Sequence, residues 1–259
     1  MTVPNGSRFG EVGAAGGVPA TGWRDHFASR AVPRIDLPEG PLVLVAPHPD
    51  DEVLGLGATL AARAPGDTVI CVSDGSASHP GIVDPAAMRA RRRAACAPGA
   101  WDLGVDVVHL DLPDGALTAD AVDAALHPAL DAANPATVAV TWSGDGHPDH
   151  HQCAESVWRW RARLRHAPLI VEYPVWMWHW AGIDDPAVPW HRLRSLPVPL
   201  AAEAAKRQAL FRHAPQLESI GGAEPILPPK VGDRFFLGWE WVLLCPATIS
   251  WASTPSRTT

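Results

Sequence analysis

Short, continuous apolar runs alternate with longer amphipathic or alanine-rich segments along the first two thirds of the chain. An apolar run of about four to eight residues is typical of a strand that is buried on both faces. The run at 41–46 has this pattern, and four further strands are predicted, at 67–75, 105–112, 136–142 and 168–176. Strands that alternate with helices form βαβ units, so the pattern predicts an α/β fold with a mostly parallel sheet flanked by helices.

Helical patterns fill the intervals between these strands and also occur near both ends of the chain. Six helices are predicted, at 22–32, 51–63, 88–104, 119–133, 149–165 and 201–217. Proline removes a backbone donor and clashes with the preceding turn, so we expect Pro98 to interrupt the third helix and Pro128 to bend or restart the fourth.

The alternation of strands and helices becomes irregular beyond residue 175, where a segment rich in Trp and Pro precedes a late apolar stretch at 234–244. No internal repeat, low-complexity tract or linker divides the chain. We therefore expect a single domain over residues 1–259, with 1–22 as a flexible lead-in and 245–259 as a tail.

Composition narrows the class of protein. The chain has 259 residues, 47% hydrophobic and 19% charged, as is typical of a globular protein. Its formal charge of −7 argues against a nucleic-acid partner, which would need a basic surplus. The apolar runs are shorter than the ~20 residues of a membrane span, and the N-terminus lacks the pattern of a signal peptide. Four cysteines without a CxxC pair are typical of free thiols in a reducing compartment, so a cytoplasmic location is predicted.

Titratable residues cluster where the predicted strands end. His48-Pro-Asp-Asp-Glu52 follows the first strand, and Asp145-Gly-His-Pro-Asp-His150 follows the fourth. In open parallel sheets, ligands bind at the carboxyl ends of the strands, so these two clusters should meet at one edge. Two imidazoles and one carboxylate can hold a divalent metal while leaving coordination positions open. Either cluster alone is a common surface turn, but the two together indicate a metal site.

The two clusters resemble the paired signature of the PIG-L-like (LmbE-like) family of zinc-dependent N-acetylglucosaminyl deacetylases. Supporting similarity extends over about residues 40–244, through Asp74-Gly75, the segment 110–115, and Lys206, His213 and Gln216. The resemblance implies a three-layer, Rossmann-like fold. It also implies a hydrolase that removes the N-acetyl group from an N-acetylglucosamine-type amino sugar or glycoside with zinc-activated water.

Alternatives remain open within this resemblance. The same site could hydrolyse a non-sugar amide, and another divalent metal such as Fe²⁺ could replace Zn²⁺. A metal-binding module without activity is disfavoured, because every residue of the implied catalytic apparatus is present. The implied partner is a small-molecule amino sugar, and the oligomeric state is left open, with a homo-oligomer permitted.

Carried over residue by residue, the resemblance makes His48, Asp51 and His150 the metal ligands. Asp50 becomes the general base that takes a proton from water. His147 becomes either the electrophilic helper beside the oxyanion or the acid for the leaving amine. Neighbouring acids at a strand-to-helix turn diverge, which agrees with separate roles for Asp50 and Asp51.

The resemblance also implies supporting residues around this centre. Asp114 and Arg92 are expected to bind sugar hydroxyls. Arg92 is chosen by the family's Arg-x-x-Glu pattern, although Ala95 stands where that pattern has the glutamate. Glu52 and Asp149 are expected to orient the ligand imidazoles or to cap helix amides. Asp145 occupies a position where some relatives carry a tyrosine.

Overall fold

The computed structural model describes residues 16–63 and 65–245. It contains a seven-stranded sheet. Its spatial order is β3-β2-β1-β4-β5-β7-β6. The first five strands in this order are parallel, and β7 and β6 extend the sheet in antiparallel pairs. The strands are β1 (Leu42–Ala46), β2 (Thr68–Ser73), β3 (Asp106–Leu112), β4 (Thr137–Thr141), β5 (Leu169–Tyr173), β6 (Leu193–Pro197) and β7 (Trp239–Leu244).

Helices cover both faces of this sheet. The longer ones are α1 (Ala20–Ala28), α2 (Asp51–Ala62), α3 (Pro85–Leu103), α4 (Ala119–Ala133), α5 (Pro148–Arg161) and α7 (Leu200–Arg212). Short turns of helix are α6 (Met177–Trp180), α8 (Ala214–Leu217) and α9 (Pro229–Gly232), with 3₁₀ turns at Trp190–Arg192 and Asp233–Phe235. None of the helices in the described ranges combines the length and apolar character that crossing a bilayer requires.

The alternation of side chains along β1 divides the core into two layers. Leu42 and Leu44 pack with α2, α3 and α7 on one face, whereas Val43 and Val45 pack with α4 and α5 on the other. Every residue of β1 is buried, which explains its continuous apolar run. The predicted fold, three layers around a mostly parallel sheet, is confirmed.

The structure corrects the predictions that Pro98 interrupts the third helix and that the fourth helix could restart at Pro128. The third helix continues through Pro98 as one element, and the fourth continues through Pro128. Each proline costs a hydrogen bond, but both helices bury a face against the sheet and against neighbouring helices, and tertiary packing outweighs the local cost. The predicted helix at 201–217 instead divides at His213, whose backbone leaves the helical region just before Pro215. The predicted lead-in at 1–22 lies largely outside the described residues.

A buried ion pair fills a break in α2. Leu56 has non-helical backbone angles, φ −131° and ψ 29°. The amides of Ala58 and Thr59 donate to the Glu240 carboxylate of β7, at 2.8 and 2.7 Å. The Lys206 ammonium of α7 donates to the Leu54 carbonyl at 3.0 Å and to Glu240 Oε1 at 2.8 Å. Side chains from two other elements therefore replace the hydrogen bonds that α2 lacks.

Lys206→Met is expected to lower the free energy of unfolding by about 3–5 kcal/mol, because it leaves the Glu240 charge buried without its partner. Denaturant unfolding measures the change. Glu203→Gln is the matched control, since it removes one charge of a partly exposed pair with Arg207 on the same helix and should cost less than about 1 kcal/mol. Equal effects of the two substitutions would contradict a stabilising role for the buried pair.

Candidate active site

The predicted clusters meet at the carboxyl ends of β1 and β4. These strands are neighbours in the sheet, and the chain leaves β1 toward β2 on one side while β4 lies on the other. Such a reversal of strand order opens a crevice in which α/β proteins bind ligands. A cavity of about 290 Å³ lies here, and its lining includes His48, Asp50, Asp51 and His147.

Two imidazoles converge on one carboxylate oxygen in this crevice. His48 Nδ1 lies 3.2 Å from Asp51 Oδ2, and His150 Nε2 lies 3.3 Å from the same atom. Burial alone would raise the pKa of Asp51, but the two imidazoles hold it well below the usual range. The three residues that the resemblance implies as metal ligands therefore lie together.

Asp145 orients the second of these imidazoles. This carboxylate is fully buried, and its Oδ2 lies 2.8 Å from His150 Nδ1. It also accepts the backbone amides of Val175, Trp176 and Met177 at 2.8–3.0 Å. Three N–H donors fix the Asp145 carboxylate in place, so the His150 ring is held with Nδ1 against Asp145 and Nε2 toward Asp51. Sequence reasoning missed this role; the only signal was an acid five residues before the histidine.

Two further carboxylates lie against the outer nitrogen of His48. Its Nε2 is 3.2 Å from Asp149 Oδ2 and 3.3 Å from Asp114 Oδ1. Asp149 also accepts the amide of Gly115 at 2.9 Å, and Asp114 accepts the amide of Ala77 at 2.9 Å. His48 lowers the pKa of both acids against the opposing effect of burial. Both acids therefore help to fix the His48 ring.

The donor set fits a divalent metal. Ligand nitrogens of His48, His147 and His150 lie within 4.8 Å of one another. His150 Nε2 is buried and makes no hydrogen bond within the described part of the chain. A buried ring nitrogen without a hydrogen bond is costly unless a ligand fills the place, and imidazole with carboxylate is a common ligand set for zinc.

Asp50 faces the same cavity from a strained turn. Its φ of 141° lies in a region that side-chain-bearing residues rarely adopt, and its amide donates to Glu52 Oε2 at 3.0 Å. Arg92 donates to Asp50 Oδ1 at 3.1 Å and to the Pro49 carbonyl. Burial raises the pKa of Asp50 to about 6, and the guanidinium opposes that rise. Arg92, which was expected to bind a sugar hydroxyl, lines the cavity but also holds this carboxylate.

Glu52 and His213 lie behind Asp50 as a buried pair. Burial, reinforced by the neighbouring Asp50, raises the pKa of Glu52 to about 8, and burial lowers that of His213 to about 3. Glu52 Oε1 is 3.6 Å from His213 Nε2, while its other oxygen accepts the Asp50 amide. Of the two roles expected for Glu52, the structure provides the contact with a helix-terminal amide.

His147 is the residue that precedes α5. Its Nδ1 accepts the Asp149 amide at 3.2 Å. Burial, followed by the neighbouring His150 and His48, lowers the pKa of His147 to about 3. The ring is therefore neutral, with its proton on Nε2, and it can donate a hydrogen bond within the cavity.

Sequence reasoning gave no role to several residues of the cavity wall. Trp176 contributes an aromatic face, and Leu54 and Ile226 contribute aliphatic contacts. Gln216 also lines the cavity and is buried, with no hydrogen-bond partner for its Nε2 within the described ranges. Its motif with Lys206 and His213 was noted, but spacing alone could not show which of the three faces the cavity.

Comparison with protein families identifies one matching domain. Residues 43–161 match the model of the PIG-L family, described as GlcNAc-PI de-N-acetylase. The match begins in β1 and ends with α5, so it includes both predicted clusters. The resemblance predicted from the sequence is confirmed. A comparison with curated protein sequences finds no significant match.

Solved structures with the same fold include proteins of more than one activity. The zinc-inhibited form of teicoplanin deacetylase is 16% identical over 79% of this chain and 97% of its own, with a TM-score of 0.59. The N,N′-diacetylchitobiose deacetylase from Pyrococcus horikoshii is 19% identical over 69% and 71%, with a TM-score of 0.56. A 4-carboxy-2-hydroxymuconate hydratase from Pseudomonas putida KT2440 is 18% identical over 76% and 82%, with a TM-score of 0.55. The fold alone therefore does not specify the reaction.

Proposed function

Since residues 43–161 of this chain belong to the PIG-L family, we propose that the protein is a metal-dependent N-deacetylase. Its proposed reaction is removal of the acetyl group from an N-acetylglucosamine-type amino sugar or glycoside. One observation carries this proposal. His48 and His150 converge on Asp51 within a cavity that also holds a buried acid, Asp50, and a neutral imidazole, His147.

His48, Asp51 and His150 are the proposed metal ligands, and zinc is the proposed metal. The orphaned Nε2 of His150 and the ligand set support this choice. When bound, such an ion polarises an amide carbonyl and acidifies water. Asp145 and Asp149 hold the two imidazoles so that their inner nitrogens point to the same place.

Asp50 is the proposed base. Arg92 engages one of its oxygens at 3.1 Å, which fixes the carboxyl plane and leaves the other oxygen to receive a proton from water. With its pKa at about 6, this carboxylate is ionised at neutral pH and remains a competent proton acceptor. A bound cation nearby would favour the ionised form further.

His147 is proposed to donate a hydrogen bond to the amide oxygen as negative charge develops on it. Its neutral ring, with Nδ1 engaged by the Asp149 amide, supports this role over that of an acid for the leaving amine. A donor fixed in place before the reaction stabilises developing charge without reorganisation. Trp176 and Ile226 form an apolar part of the cavity wall, which is proposed to exclude bulk water from the acyl group.

Acetate release from a panel of N-acetyl amino sugars and their glycosides tests the proposal. The zinc-loaded protein is expected to release acetate and a free amine, and chelation is expected to remove the activity. Acetate from simple amides but not from any sugar would favour the alternative, a hydrolase of a non-sugar amide. Release of acetate from none of these substrates would overturn the deacetylase.

Asp114 is proposed to contact a sugar hydroxyl, and Asp114→Asn tests this. The residue also touches His48, so some activity should be lost with every substrate. The informative quantity is the ratio of kcat/KM for an N-acetylglucosamine-type substrate to that for a small amide. This ratio should fall roughly ten- to a hundredfold, as expected for one hydrogen bond to a charged group worth ~1.5–3 kcal/mol. An unchanged ratio would mean that Asp114 acts only through His48.

A cytoplasmic location and a single domain over 1–259 are further proposals. The first is supported by four cysteines that are all free thiols. The second is supported by packing, because Trp23 of α1 and Val242 of β7 share one core cluster with Leu44 of β1.

A further inference from the structure

Three side chains that could bind a soft or borderline metal ion lie together on the α3 side of the sheet. None of them lines the cavity of the candidate active site. They are Cys71 in β2, Cys96 in α3 and His109 in β3. The two sulfurs and one imidazole nitrogen lie within 4.8 Å of one another. We call these residues the thiol–imidazole cluster.

The sheet register explains why two of the three residues meet. Cys71 and His109 are directly paired in the parallel strands β2 and β3, so their side chains leave the sheet on the same face. Val69 and Val107, two residues earlier in each strand, belong to the core layer beneath α3. Cys96 lies on the buried face of α3, one turn after Arg92.

A bulge in β3 adjoins the cluster. Cys71 pairs with His109 and Ser73 pairs with Leu112, so β3 has one residue more than β2 in this interval. Asp111, within the bulge, has a φ of 52°, which is uncommon for a residue with a side chain. Arg93 of α3 donates to both Asp111 oxygens at 2.6 and 2.5 Å. The contact, between two exposed side chains, joins α3 to β3 beside Cys96 and His109.

Exposure differs among the three side chains. Cys71 and Cys96 are 1% and 2% exposed, whereas His109 is only partly buried. His109 is therefore the most solvent-exposed of the three ligands. The sulfurs lie on the inner side, shielded from oxidants.

The distances suit a small tetrahedral ion. With bonds of about 2.3 Å to sulfur and about 2.0 Å to nitrogen, ligand atoms around a shared zinc ion lie about 3.5–3.8 Å apart. Contraction from at most 4.8 Å requires shifts of about 1 Å, which side-chain torsions supply. Two thiolates with an imidazole favour zinc and other thiophilic ions over magnesium or calcium.

We propose that Cys71, Cys96 and His109 form a second metal site, which binds a thiophilic divalent ion such as zinc. It joins β2, β3 and α3. A bound ion would fix α3 relative to the sheet, and α3 also carries Arg92, which contacts Asp50. The site stands apart from the proposed hydrolysis and does not depend on it.

Cobalt(II) titration of the reduced, metal-free protein tests this proposal. Bonds from thiolate to cobalt give a near-ultraviolet charge-transfer absorption, and the proposed catalytic ligands contain no sulfur. The parent protein is expected to develop this absorption to the intensity of one cobalt–thiolate site per chain and to saturate it by two equivalents of cobalt, since the proposed catalytic site also takes up the ion. Cys96→Ser should abolish the saturating band, and His109→Asn should weaken cobalt affinity by about tenfold or more.

Cys245→Ser is the matched control, since its thiol lies near Arg192 and Glu172, outside the cluster. It should leave the absorption unchanged. Absence of the band in the reduced parent protein, or an undiminished band in folded Cys96→Ser, would overturn the proposal. Should Cys96→Ser fail to fold, His109→Asn decides, because its partly exposed side chain can be changed with little disturbance. Undiminished cobalt affinity in that variant would also overturn the site, whatever the outcome of the acetate assay.

Discussion

His150→Ala is expected to abolish tight metal binding at the catalytic site and, with it, acetate release. The substitution removes one of three proposed protein ligands and leaves the Asp145 carboxylate buried opposite an empty space. With only His48 and Asp51 remaining, the ion would have two protein ligands, fewer than the three typical of catalytic zinc sites. Elemental analysis of the dialysed protein measures the loss. The variant should hold one metal ion per chain fewer than the parent.

The neighbouring His151 provides a matched control. Its Nδ1 lies 3.2 Å from the Ser143 carbonyl, and it is only partly buried. His151→Ala removes the same side chain one position further along α5 and should keep the parent's metal content. Full catalytic-site occupancy in His150→Ala would contradict the proposed ligand set.

Asp50→Asn is expected to retain the metal and the fold while losing roughly 10²–10⁴-fold in kcat, the usual effect of removing a general base. The amide can still accept a hydrogen bond from Arg92 but cannot take a proton from water. Asparagine also tolerates positive φ better than most residues, so the strained turn should survive. Steady-state kinetics together with metal content measure the two effects separately.

Asp51→Asn gives the reciprocal comparison. Asp51 Oδ2 faces His48 and His150, so its loss should reduce metal content, unlike the loss of the Asp50 charge. If Asp50→Asn lost the metal and Asp51→Asn kept it, the roles of these neighbours would be reversed.

The centre of the parallel sheet was predictable because its strands are buried on both faces. β1 and β4 consist entirely of buried residues, and their continuous apolar runs follow from that burial. The meeting of His48 with His150 was predictable for a related reason, since parallel strands bring their carboxyl ends to one edge. β6 was missed because it is an antiparallel strand at the sheet's edge, with Arg194 and Pro197 interrupting any apolar pattern.

The contributions that depend on distant backbone could not be predicted. Asp145 acts through amides at 175–177, which lie some thirty residues along the chain in β5's following turn. Likewise, Glu240 completes α2 only because β7 passes beside Leu56. The interruption at Pro98 and the possible restart at Pro128 were predicted wrongly for the same reason, because local propensity carries no information about the packing that opposes it.

Asp145 joins two parts of the cavity that the sequence keeps far apart. One of its oxygens receives both the His150 ring and the amide of Trp176, whose side chain forms part of the cavity wall. Because the carboxylate is fully buried and accepts several donors, it has little freedom to follow one partner without the other. The same carboxylate therefore sets both the backbone position of the aromatic wall and the direction of the His150 ring.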